Sequence, residues 1–494
     1  NGLRDGLLGA GYTADGVLEA LGATAYSALA RGETVPAERA TRGGGVREAL
    51  IRLLLLQQEV PQERVEGIVP PDGGWVRPGE TPGTVRATVD IRPYPEEGAD
   101  AFVVSDLGCA VGGAAGAAAA AGGVDRADLV LGVGGASTTL AGITVPGACA
   151  TALDLGTGSG VQAINAARRA SHVTATDLNP RAARFAAMSL TLSGVPAERQ
   201  EVLAGSLFEP VGERRFDLVV SNPPFVVSPA GRFTYRDGGL PGDELCRRIV
   251  TEAPAHLEPG GFCQLLANWQ HVKGEDWRER LASWIAPTGC DAWVVQREVQ
   301  DPAQYAELWL RDGGDHRDAP EEYAARYDAW LDAFERDGVE GIGFGWITLR
   351  NAGAAEPAVR IEEWPHPVEQ PLGPEIAAWF ERQDFLRSVD DDALLGTRFR
   401  LAGEPGETVQ EQVGAPGAED PEHVVLRQRR GMMRATRVDT VGAGFAGACD
   451  GTLEAGRIVD AIAELLEEDP AELRAKTPES IRFLVEQGFL LPVR

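Results

Sequence analysis

Between residues 150 and 300 short apolar runs alternate with stretches whose apolar residues recur at helical spacing: "ATALDLG", "GVQAINAARRA", "HVTATDL", "PRAARFAAMSLTLSG", "QEVLAGS", "FDLVVSN", "GDELCRRIVTEAPAHL", "GFCQLLANW" and "DAWVVQRE". Runs that are apolar throughout suit strands buried on both faces, and the amphipathic stretches between them suit crossover helices. The pattern predicts an α/β fold built on a parallel, doubly wound sheet. Residues 1–70 carry helical spacing in "ADGVLEALG", "AYSALARGE" and "REALIRLLLLQQEV", which predicts a small helical, winged-helix-like domain. Residues 71–300 form the α/β domain. Its β-rich lead-in ("RATVDIRPY", "AFVVSD", "DLVLGVG") is interrupted by the Gly/Ala tract "GGAAGAAAAAGG", read either as a flexible insertion or as a surface helix. Residues 301–422 read as an acidic mixed α/β region with one strand, "IGFGWITLR". Residues 423–494 read as helices and a β-wing, a second winged-helix-like domain.

Composition narrows the function. A chain of 494 residues exceeds one hydrophobic core, and 44% hydrophobic with 24% charged residues is globular. There is neither an apolar run of about 18 residues nor a signal-peptide pattern, so the expectation is a cytoplasmic protein with no membrane partner. The formal charge of -28 speaks against a protein that coats nucleic acid. The charge is uneven: residues 151–250 hold 11 Arg against 10 Asp and Glu, a balance of +1, and the rest carries -29. A neutral centre between acidic flanks fits a protein, peptide or small-molecule partner better than RNA, though it leaves room for a local basic cleft. Six cysteines without a C-x-x-C pair and six histidines without ligand spacing predict buried free thiols and no metal site.

The chemistry lies in three segments. In "ALDLGTGSG", residues 152–160, an apolar strand runs into Gly156, Gly158 and Gly160 and then a helix, which lets backbone approach a ligand beneath a helix N-terminus. Asp154 sits inside the strand, where an unpaired carboxylate is costly, so it should accept hydrogen bonds from the loop or a cationic ligand. The next apolar strand delivers Asp177, placed to bind a ribose diol. A nicotinamide enzyme would normally show G-x-G-x-x-G, whereas this loop is G-x-G-x-G. Finally, "VVSNPPFVVSP", residues 219–229, ends the fourth strand. Two prolines stiffen it. The side-chain oxygen of Asn222 and the carbonyl of Pro223 can then converge on one NH2 group, and Phe225 offers a flat face.

Loop, acid and "GSLFEP" (205–210) in this order resemble class I S-adenosylmethionine-dependent methyltransferases. The N-P-P-F is similar to the [N/D/S]-P-P-[Y/F/W] motif of amino methyltransferases, among them release-factor glutamine methyltransferases and rRNA guanine N-methyltransferases. The resemblance spans roughly residues 100–300. It implies a Rossmann-like methyltransferase sheet with S-adenosyl-L-methionine as cofactor, held by Asp154, Gly156, Thr157, Gly158, Gly160, Asp177, Leu178, Ser206, Leu207 and Asn222. It also implies that Asn222 and Pro223 orient the acceptor nitrogen while Phe225 packs against the acceptor. By the same resemblance "GVGGASTTLAG" covers the cofactor, with Thr138 or Thr139 in contact. Tyr235 to Asp237 form a wall of the site or else a surface loop. A planar NH2 held by two acceptors can attack in line, with positioning and electrostatics doing most of the work and no general base required. Three functions stay open: N-methylation of a protein or peptide, which the net charge favours, the same chemistry on an RNA base, and a non-catalytic binding module. Release-factor enzymes are much shorter, so the acidic C-terminal region has no counterpart in the resemblance.

Overall fold

The structure, a computed structural model, describes residues 2–95, 100–108, 128–229, 239–313, 315, 319–415 and 423–493. The Gly/Ala tract, Cys109 and Tyr235 to Asp237 lie outside the described residues. The chain divides into two compact units, Asn1–Ala141 with Gly147–Pro365, and Gly142–Pro146 with His366–Arg494.

In the first unit, helices Gly2–Gly9, Ala14–Ala30, Val35–Ala40 and Val46–Leu50 precede strands β1 (Val60–Pro61), β2 (Val76–Pro78) and β3 (Thr84–Ala87). These strands form a sheet with β3 in the middle. Because β1 pairs with β3, the boundary expected at residue 70 cuts through one sheet. β4 (Asp90–Tyr94) and β5 (Ala101–Ser105) follow as an antiparallel pair. One apolar cluster runs from Leu7, Leu21 and Leu54 through Ile91 and Phe102 to Phe185 and Leu192 on the helix Pro180–Leu192. The N-terminal helices therefore share a core with the α/β domain.

The central sheet has eight strands: β6 (Cys149–Leu155), β7 (Ala170–Asp177), β8 (Gln200–Ala204), β9 (Phe216–Ser221), β10 (Leu257–Val272), β11 (Asp291–Gln300), β12 (Val339–Arg350) and β13 (Val359–Glu363). Their order is β13-β11-β12-β10-β9-β6-β7-β8. β6 to β10 are the parallel, doubly wound core expected from the apolar runs. The domain boundary expected at 300 needs correction. After β11 the chain makes two helices, Pro302–Asp312 and Pro320–Arg336, and returns as β12, which is antiparallel to both β10 and β11. The strand "IGFGWITLR" thus lies inside the sheet. A fragment of residues 75–300 loses β12 and leaves long stretches of β10 and β11 unpaired. It is expected to lack a cooperative melt by circular dichroism, whereas a sharp transition would show that β12 is dispensable.

The second unit contains β14 (Arg398–Leu401), β15 (Thr408–Val413), β16 (His423–Gln428), β17 (Ala435–Val438), β18 (Asp450–Glu454) and β19 (Leu490–Pro492). These form two three-stranded sheets, β18-β14-β19 and β15-β16-β17. Helices including Gly373–Ser388, Ala455–Leu466 and Pro470–Glu486 accompany them, around a core containing Phe399, Phe445, Ile458, Ile481 and Phe489. The boundary expected at 422 falls between β15 and β16, which pair along their whole length. Its sequence, "TVQEQV", alternates polar with apolar residues too weakly to announce a strand. Among the described residues no helix is long and apolar enough to cross a membrane.

Candidate active site

The strand order reverses between β6 and β9, and ligands of such sheets bind in the crevice beyond the carboxyl ends of the strands at that point. A cavity of about 600 Å³ opens there. Asp154, Gly156, Thr157, Gly158, Asp177, Leu178, Ser206, Leu207, Asn222 and Pro223 line it, so residues spread over some seventy positions of sequence meet at one place. Gly160 and Phe225 are not part of that lining.

The glycines divide by role. Gly156 and Gly158 have φ of 72° and 56°, and a Cβ added at either would meet no protein atom within 4 Å. Glycine is needed there for the left-handed backbone, and the space beside it is open to a ligand. Gly160 also has a positive φ, 88°, but its Cβ would come within 3.0 Å of the Cα of Ala186, so this glycine lets two helices approach closely.

Asp154 is buried; its Oδ2 accepts hydrogen bonds from the Thr157 hydroxyl at 2.6 Å and from Ala163 N–H at 2.9 Å. Burial pushes its carboxyl from the ordinary 3.8 up to about 7 against those two bonds, and the like charge of Asp177 adds in the same direction. Asp177 accepts from Gly158 N–H and from Asn179 N–H, both at 2.8 Å, and burial raises its carboxyl too. Each of its oxygens keeps a second lone pair, the capacity a vicinal diol requires. Leu207, in the "GSLF" segment, has a φ of 46°, a left-handed conformation that costs a side-chain-bearing residue about 1–2 kcal/mol. That strain sits in the cavity wall.

At the end of β9, the Ser221 hydroxyl donates to Leu155 O at 2.7 Å and ties the strand end to β6. Asn222 follows. Its Oδ1 is buried, and no donor among the described residues reaches it. Phe225 packs between two apolar clusters and meets Trp309 edge-on, with ring centroids 6.4 Å apart.

Some of the site escapes sequence reasoning. In the helix Gly135–Ile143 it is Ala136 and Ser137 that line the cavity. Thr138 is exposed, with its hydroxyl bonded to Gly134 O, and neither it nor Thr139 belongs to the lining. Gln162 Nε2 holds Ser137 O at 2.7 Å. A second wall, Leu129 to Gly132, is pinned from elsewhere: Asp106 accepts from Val130 N–H at 2.8 Å and pairs with Arg181, which also donates to Asp128 O. No motif announces a pair so far apart in sequence. Among the described residues no cluster of three or more His, Cys, Asp or Glu is placed to hold a metal ion. Cys246, Cys263, Cys290 and Cys449 are buried free thiols and Cys149 is half-buried.

Comparison with known proteins places this site in a family context. Residues 135–281 match the methyltransferase small domain, while residues 9–88 and 377–492 match two domains of unknown function (DUF7059 and DUF7782). The release factor glutamine methyltransferase of Geobacter sulfurreducens is 35% identical over 162 residues, covering 30% of this chain and 54% of that protein. The ribosomal protein uL3 glutamine methyltransferase of Bradyrhizobium diazoefficiens is 37% identical over 153 residues, covering 28% and 48%. The ribosomal RNA small subunit methyltransferase C of Alcanivorax borkumensis is 33% identical over 116 residues, covering 24% and 31%. The chain spans about half the length, or less, of these relatives. The glycine loop, Asp177 and the N-P-P-F turn all fall inside the segment 135–281 that matches the methyltransferase small domain, and that segment contributes β6 to β10 of the Rossmann-like sheet.

Proposed function

We propose that the protein is an S-adenosyl-L-methionine-dependent N-methyltransferase that methylates an amide or amino nitrogen of a protein or peptide. The observation that carries this reading is Asn222 Oδ1, a buried acceptor on a residue lining the switch-point cavity, which no donor among the described residues reaches. A buried unsatisfied acceptor costs roughly 1–3 kcal/mol, and an incoming N–H repays it. The cavity also suits the cofactor. Gly156 and Gly158 leave space, Asp177 offers two acceptors to a diol, and two carboxylates in the wall favour a cation.

S-adenosyl-L-methionine supplies an electrophilic methyl group on a sulfonium centre. The chain's part is to place the nucleophile. Asn222 Oδ1 and the Pro223 carbonyl accept the two hydrogens of one NH2, which fixes the plane of the group and leaves its nitrogen free to attack. As the N–C bond forms, the S–C bond breaks with its electron pair staying on sulfur; one N–H proton then leaves to solvent, and the same acceptors hold the remaining N–H.

Two features support a polypeptide acceptor over RNA. Among the described residues the cavity lining contains no aromatic ring, the usual platform for a splayed base, and the net charge of -28 repels phosphate. The rRNA methyltransferase relative keeps RNA as the alternative. Transfer of labelled methyl from the cofactor into cell extract separates them: label that survives ribonuclease and is lost to protease supports the polypeptide, and the reverse pattern supports RNA.

Asp154 gives the reading a pH signature. Its folded-state value lies above that of an unfolded aspartate, so the ligand-free protein holds the proton more tightly than the unfolded chain does. That stability is fully present below about pH 4 and is lost as pH rises through about 7. A cationic cofactor favours the ionised carboxylate. Affinity for S-adenosyl-L-methionine is therefore expected to rise several-fold between pH 6 and 8, with protons released on binding below neutrality. Calorimetry across that range checks it, and a slope unchanged in Asp154→Asn would contradict it.

A further inference from the structure

We infer that Tyr305, on a helix beyond the segment that matches the methyltransferase small domain, is a positioning residue that holds the Asn222–Phe225 turn in place for the acceptor. The inference rests on the N-methyltransferase reading for its kinetic consequence, though not for its geometry.

From Asn222 to Val227 the chain has no regular secondary structure, and Pro223 and Pro224 lack the N–H that could tie it to a neighbour. The upstream end is fixed by the Ser221 bond to β6. The downstream end is fixed by Val227 N–H, which donates to the Tyr305 hydroxyl at 2.9 Å. The same oxygen accepts Asn268 Nδ2 at 2.8 Å from β10, so it joins the turn to the central sheet. Tyr305 is fully buried, and its ring is clamped by Trp309, Trp330, Phe334 and Phe344 with centroids 5.5 to 6.2 Å away. Trp309, one helical turn further on, is the residue that meets Phe225. Val226 and Val227 are buried in the same cluster. A buried hydroxyl held by its packed ring thus bonds the backbone beyond Asn222 to the sheet.

The matched methyltransferase segment ends at residue 281, whereas Tyr305 belongs to the helix pair between β11 and β12. Those helices therefore do more than link two strands. They brace the Asn222–Phe225 turn from behind, and none of their described residues lines the cavity.

The test uses the full chain. Tyr305→Phe keeps the ring and removes only the oxygen. Cofactor affinity by calorimetry is expected within about twofold of the unaltered protein, while kcat/KM for the methyl acceptor falls tenfold or more. Hydrogen exchange read by mass spectrometry on the peptide covering 222–229 is expected to accelerate selectively. Wild-type acceptor kinetics together with wild-type exchange would overturn the inference. So would faster exchange across the whole unit, which would give Tyr305 a general packing role. If no acceptor is methylated at all, the N-methyltransferase reading fails, and selective exchange at 222–229 still decides whether Tyr305 holds the turn.

Discussion

Asn222→Ala is expected to bind S-adenosyl-L-methionine within a few fold of the unaltered protein while turning over about a hundredfold more slowly or worse. Removing one preorganised polar contact at a reacting centre has an effect of this size. The split follows from geometry: Asn222 Oδ1 has no protein donor among the described residues, so its partner arrives with the acceptor. For the same reason the ligand-free variant should melt no lower than the unaltered protein, since the substitution removes an unsatisfied buried acceptor. Asn222→Asp should be milder in turnover, because an acceptor oxygen remains. Calorimetry, initial rates and a thermal melt check the three parts. Normal turnover in Asn222→Ala would mean that Asn222 does not present the acceptor group.

Asp177→Ala should act on the other side of the site, weakening cofactor binding by roughly 1.5–3 kcal/mol, the usual contribution of hydrogen bonds to a charged group. Asp177 accepts Gly158 N–H and Asn179 N–H, so the alanine variant also frees the glycine loop, and the upper part of that range is expected. Calorimetry on folded protein measures it. Unchanged affinity would remove Asp177 from the cofactor site.

Much of this architecture was legible because parallel strands buried on both faces leave apolar runs, as in β6 and β9, whereas the edge strand β8 ("QEVLA") is only half-buried and shows a shorter one. The loop residues Asp154 to Gly160, Asp177 and Asn222 could be read because each combines a strand end with a residue type that a strand end does not need. Other features left no such trace. β12 reads as a strand in "IGFGWITLR", but nothing local says that it inserts between β10 and β11, since pairing partners are set by tertiary packing. The helix Gly135–Ile143 was expected to present Thr138 or Thr139, yet Ala136 and Ser137 line the cavity: helical spacing does not say which face meets Gln162. The N-P-P-F pattern offers the flat ring of Phe225, and sequence carries no information on where a ring points. It packs on Trp309 and stands outside the cavity lining, so a role in gripping a flat acceptor loses its simplest support. The Tyr305–Val227 bond and the Asp106–Arg181 pair were invisible because they join residues 78 and 75 positions apart.

The most direct measurement is tandem mass spectrometry of polypeptides after incubation of the full chain with methyl-labelled S-adenosyl-L-methionine. It should be run in parallel with Asn222→Ala and with digested RNA from the same reaction. The expected result is label on a nitrogen of a polypeptide, on a side-chain amide or an amino group, with that signal largely lost in the Asn222→Ala reaction. Label confined to RNA nucleosides would overturn the protein acceptor. Label on a polypeptide oxygen or carbon, or nitrogen labelling undiminished in Asn222→Ala, would contradict the central claim that Asn222 presents an NH2 group for methylation.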